Sequence, residues 1–205
     1  MRHVSTAIAA AFGAGAIAGL GVALPLGAIG VLIVQEGIVG GWRPAFAAGT
    51  GVALVDGAYA ALAVAAGAAV TGVLSGRERA VQLVGAVVLV AVAVRGLLTL
   101  RRPAQPRAAV PHSRVLRRFV GLTAINPTTA VYFVVLTTGL GHVVSGVAAG
   151  SAFVAGVLLA SCAWQLTLGA AAALAGSRLP RGLRAATSLA GYVLVAGYGV
   201  RLALG

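Results

Sequence analysis

Three acids stand in 205 residues, and one of them, Asp56, lies deep inside an apolar stretch, Gly51-Val52-Ala53-Leu54-Val55-Asp56-Gly57-Ala58-Tyr59. A carboxylate in such surroundings can hold a cation or a proton; the plain alternative is a structural acid paired with an arginine or capping a broken helix. At helical spacing Gly49, Ala53 and Ala60 share its face, which leaves a groove of small side chains. Tyr59, three residues on, can offer its hydroxyl to the carboxylate. Two proline-centred interruptions, Leu24-Pro25-Leu26-Gly27 and Ile125-Asn126-Pro127, offer a second kind of chemistry. Proline has no N–H and blocks the helical ladder, so Pro25 with Gly27, and Asn126 with Pro127, would free backbone groups for a ligand. Freed carbonyls suit an ammonium or metal cation, and a helix N-terminus suits a carboxylate. For either proline alone a simple kink explains as much. Gln35 and Glu36 stand where a gate or a solvated loop end could form, and Gln165 could line a polar path.

Other chemistries find little support. His3, His112 and His142 are too dispersed for a metal site. The lone Cys162 excludes an intramolecular disulfide, a dithiol redox pair and a cysteine metal cage. No serine-centred triad, phosphate-cradling loop or carboxylate pair occurs, so enzyme chemistry has no residues to carry it, and no cofactor is expected.

The elements that must position these residues follow from composition. Hydrophobic residues make up 60% of the chain and charged ones 9%, too few to cover a soluble domain, so a lipid bilayer is the expected solvent. The net charge of +12 comes from fifteen arginines, most of them between apolar runs. That placement points to membrane topology and away from nucleic acid. The opening Met1-Arg2-His3-Val4 leads into a run too long for a signal peptide, and is read as the first span.

Apolar runs place spans at about 4–34, divided at Gly21 and Pro25–Gly27, then 44–71, 80–100, 119–140, 147–174 and 189–204. Residues 35–43 are expected as a turn. A linker at 101–118 holds six arginines, three prolines and no acid, and is expected to be loose and solvated. With that linker in the cytoplasm, arginines concentrate on the cytoplasmic side and both termini lie outside. The phrase Ala47-Ala48-Gly49-Thr50 returns as Ala148-Ala149-Gly150-Ser151, an offset of 101. Three spans on each side of the linker then insert in opposite senses. The expectation is an all-α integral membrane protein of six transmembrane helices, as two inverted three-helix repeats with broken first and fourth helices. Residues 1–100 form one repeat, 101–118 the linker and 119–205 the other. Matching breaks in two such halves point to a transporter's midplane site.

Pro25-Leu26-Gly27-Ala28, followed by Val34-Gln35-Glu36-Gly37-Ile38, resembles the opening motif of the lysine/arginine exporter branch of the LysE-type amino-acid exporter family. Ala53-Leu54-Val55-Asp56 resembles its second-span aspartate segment, and Asn126-Pro127 its second-half motif. Gly96-Leu97-Leu98 and the stretch from Leu189 to Leu202 are similar to family spans as well. The resemblance implies a six-span exporter of a small amino acid in the cytoplasmic membrane, driven by protons or membrane potential, and it allows a homodimer. Ile29 and Gly30 stand where the basic-amino-acid branch usually has amides, which leaves a neutral amino acid or another small cation open as substrate. A metal-cation exporter is the alternative within transport, weakened by the scarcity of soft ligands. A membrane assembly subunit without transport is the alternative outside it.

Overall fold

A backbone without water to bond must satisfy itself, and helix is the local way to do so. In the computed structural model the described residues are 2–24, 27–66, 110–126, 129, 132–133 and 144–204, with single positions between 79 and 98. Among them no strand occurs, and six helices have defined bounds: α1 (Arg2–Ala23), α2 (Ala28–Gly40), α3 (Trp42–Ala66), α4 (His112–Ala124), α5 (Val147–Arg178) and α6 (Arg181–Leu204). The described positions between 79 and 98 are helical too. Pro25, Pro127, most of the expected third span and residues 101–109 lie outside the described residues.

Several boundaries differ from the sequence reading, each for a local reason. Gln35 to Gly40, expected as a turn, completes α2, and the chain turns at Gly41 alone. Gly41 has φ 85°, a conformation that favours glycine, and its N–H bonds back to the Gly37 carbonyl. Pro44 then falls in the first turn of α3, where a missing N–H costs nothing. Residues 112–118 of the expected loose linker are helical. Pro111 precedes them, and the spacing of buried Val115, Phe119 and Leu122 gives α4 an apolar face with exposed Arg114 and Arg117 opposite. At the other end of the chain α5 reaches Arg178, with Pro180 preventing further helix. The gap expected between the spans at 147–174 and 189–204 thereby shrinks to Leu179 and Pro180.

Three of these helices, α1, α3 and α5, are long and apolar enough to cross a membrane; α2 and α6 carry shorter apolar stretches. Large apolar side chains such as Ile17, Leu62 and Leu159 face outward, as lipid contact requires.

Helix packing sets the position of everything else. A Cβ built on Gly15 would strike the carbonyl of Phe153, one on Gly19 that of Val157, and one on Gly176 would meet Ile38. These three pairs share one offset, 138 residues, so α1 and α2 run in succession parallel to α5. Glycine is what allows the approach, because packing in lipid gains from backbone proximity instead of from expulsion of water. α3 runs antiparallel to α5: Ala45 lies against Gly169, Gly49 against Gln165, Gly57 against Leu158 and Val64 against Gly150. α4 lies along α3, with Leu116 and Phe119 on Gly51. Two apolar cores result. One joins α2, α3, α4 and α6 around Leu32, Ile33 and Phe119, and the other joins α1, α3 and α5 around Phe153 and Val157.

Candidate functional site

Asp56 sits at mid-length of α3 on the face turned to α5, 2% exposed. Its Oδ2 accepts a hydrogen bond of 2.6 Å from the hydroxyl of Ser161, which is itself fully buried. A short bond to a charged acceptor is among the stronger kinds, but one hydroxyl does not neutralise a carboxylate. Among the described residues the one salt bridge is elsewhere, and none of their cations balances this acid.

The interruption of the first span comes level with this pair. The 138-residue offset between α1–α2 and α5 sets Ala23, the last residue of α1, at the height of Ser161. It sets Gly27, which caps α2 with extended backbone, at the height of Gln165. The second interruption reaches the same place from the other side. α4 ends at Ala124, and the hydroxyl of Tyr59, one turn along α3 from Asp56, donates to the Ala124 carbonyl. Tyr59 therefore secures the end of a broken helix, and it is Ser161 that meets the carboxylate. A second tyrosine does similar work across the molecule: the Tyr132 hydroxyl donates to the Ala18 carbonyl at 3.1 Å, close above Gly21.

Among the described residues four buried side-chain polar atoms lack a hydrogen-bond partner: Gln35 Oε1, Thr123 Oγ1, Trp164 Nε1 and Gln165 Oε1. Each such group costs about 1–3 kcal/mol if it stays unpaired. Thr123 adjoins the end of α4, and Trp164 and Gln165 follow Ser161 by one turn on α5. Three of the four thus gather at the height of the two interruptions.

The family model for LysE-type translocators matches residues 20–205, a range that takes in both interruptions, Asp56 and Ser161. The chain belongs to the LysE-type translocator family. No curated protein and no solved structure matches it. As a LysE-type translocator it is a multi-pass membrane protein whose family moves solutes.

Within this translocator the residues singled out from sequence fall into separate groups. Asp56, Tyr59, Gly27 and the half-buried Asn126, whose Nδ2 donates to Thr129 Oγ1 at 3.2 Å, lie around the interruptions, with Gln165 beside them. Pro25 and Pro127 lie outside the described residues. Gln35 faces away from Asp56: its Nε2 donates to the Ser188 carbonyl of α6 at 2.9 Å, in a contact that a side chain on Gly191 would obstruct. Glu36 pairs with Arg118 of α4 at 3.1 Å, half in solvent. Ser161, Thr123 and Arg118 were not singled out. Serine and threonine inside an apolar run carry no periodic signal, and only the register of α5 against α3 brings Ser161 to the acid.

Proposed function

We propose that this protein is a secondary transporter that exports a small amino acid, basic ones included, across the cytoplasmic membrane by alternating access. The solute sits at the two helix interruptions, where freed backbone groups of Gly27 and of the Asn126 segment, with Gln165, supply its hydrogen bonds. Asp56 supplies the charge, for an ammonium or for a coupling proton. One observation carries this reading: two separate helix breaks come level with a buried acid, Asp56, that no cation among the described residues balances.

An inverted repeat of residues 1–100 and 119–205, joined by the arginine-rich linker and making six spans, is the architecture that fits. It is supported by packing at positions 101 apart. Gly49 lies on Gln165 and Gly150 lies on Val64, so both the glycines and their partners are 101 apart. Carrying α1 forward by 101 and its α5 partner back by 101 turns the offset of 138 into 64. The observed offset for Leu116 on Gly51 and for Ala124 on Tyr59 is 65.

The deciding experiment is counterflow in proteoliposomes, with the twenty amino acids and a few divalent metals as labelled solutes. Exchange of one or more amino acids is the expected result. Exchange of metals alone would replace the reading by metal-cation export, and exchange of nothing would remove transport altogether. Asp56→Asn should abolish net export while membrane insertion stays at the wild-type level.

A further inference from the structure

Asp56 has two candidate duties under the export reading, and the geometry around it separates them. We propose that Asp56, held by Ser161, is where this transporter takes up and releases its coupling proton, and that the solute binds beside it without touching the carboxylate. The inference rests on the export reading and assigns one part of it.

Space argues first. The carboxylate lies in the α3–α5 interface, where the two backbones are closely apposed. A Cβ on Gly57 would meet Leu158 at 3.1 Å, and one on Gly49 would meet Gln165 at 3.0 Å. On the far side of α5 Val157 is locked against Gly19. An amino acid's ammonium brings several heavy atoms with it, and this packing is already close. A proton needs no room.

Charge argues next. Of the titratable and charged groups on the described helices packed against α3, α5 presents Cys162 and Arg178. α4 presents His112, Arg114, Arg117 and Arg118, and α2 presents Glu36. α3 itself adds Arg43 and Tyr59. Arg118 and Glu36 are engaged with each other, Tyr59 with Ala124, Arg43 stacks over Trp42, and Arg178 lies at the far end of α5. None of these bonds to Asp56. A buried carboxylate with no cation is costly, and acquiring a proton is the least disruptive remedy.

The partner fits a group that changes charge. A serine hydroxyl both donates and accepts. Ser161 can donate to the carboxylate and accept from the carboxylic acid, so both states keep a hydrogen bond. An arginine in its place would hold the acid ionised. The proton arrives on a carboxylate oxygen, forming an O–H bond, and leaves by breaking that bond; the solute's own charge is untouched. Ser161 is a positioning residue in this scheme.

Asp56 is the chain's one aspartate, so carbon-13 aspartate isolates its carbonyl stretch in the infrared without any mutation. The expected result is a protonated-carboxyl band that rises and falls with pH in the wild-type protein in vesicles. In Ser161→Ala the band moves to higher wavenumber as its hydrogen bond is lost, and Ser161→Thr restores it. In proteoliposomes loaded with labelled amino acids, Asp56→Asn should keep counterflow within two-fold of wild type. Net efflux driven by a pH gradient should fall ten-fold or more. A band that never titrates overturns the proposal, as does an Asp56→Asn variant that loses counterflow together with net efflux, because the carboxylate would then touch the solute. Unchanged rates in both assays overturn it too. Wild-type net efflux indifferent to a pH gradient overturns the proton assignment and leaves export standing, whereas wild-type vesicles that move no amino acid overturn both.

Discussion

Positions 101 apart on α3 and α5 are packed alike and furnished differently. Gly49 and Gly150 each receive the opposite helix at equivalent places. Yet Asp56 corresponds to Val157, Ser161 to Ala60, and Gln165 to Val64. Val157 and Ala60 are fully buried, as Asp56 and Ser161 are. The apolar members show that this packing is satisfied by valine and alanine. The polar members carry a burial cost that the interface does not require, which is the physical ground for giving them a functional role.

The sharpest break of the comparison is in the backbone approach that α5 makes to α1. Gly156→Leu puts a side chain into the Phe12 carbonyl and Ala16 of α1. Since neither backbone can yield, we expect loss of folded protein, read as the disappearance of a monodisperse peak in detergent. Exchanging the chemistry between the two places comes next. Val157→Asp sets an acid against Gly19 with no hydroxyl opposite, at about 3 kcal/mol or more, and membrane-inserted yield should fall well below that of wild type. Gln165→Val makes this position match Val64. Removing an unpaired buried polar atom should leave thermal stability equal or higher, by about 1 kcal/mol, while export slows; equal export would show the amide to be idle. Tyr59→Phe removes the bond to Ala124, a loss of about 1 kcal/mol, measurable as a lower midpoint of thermal unfolding. Arg118→Gln breaks the half-exposed pair with Glu36 and should change stability by less than about 1 kcal/mol.

The two interruptions also contrast. The first follows an apolar helix, α1, whose small residues bury against α5. The second follows α4, whose basic face stays exposed and whose apolar face alone packs on α3. A window of hydropathy therefore finds the first helix and starts the other too late, at Phe119, because Arg114, Arg117 and Arg118 outweigh Val115 and Leu116. The same averaging hides the helical nature of 35–40, where Gln35 and Glu36 sit between glycines. Gln35 is buried there because Ser188 of α6 accepts its N–H and Gly191 leaves it room, facts with no local signature.

Some properties needed no coordinates. Too few polar side chains exist to face water, which decides for a membrane; prolines without N–H groups decide where helices stop; and an acid among alanines and valines is conspicuous by its cost. Which hydroxyl meets that acid, which way Tyr59 turns, and how far each break lies from it depended on helix register. Register is a long-range property set by glycine contacts between helices more than a hundred residues apart. A single residue's slip of α5 along α3 would carry Ser161 about 1.5 Å and a third of a turn away from Asp56, leaving every local pattern in the chain unchanged.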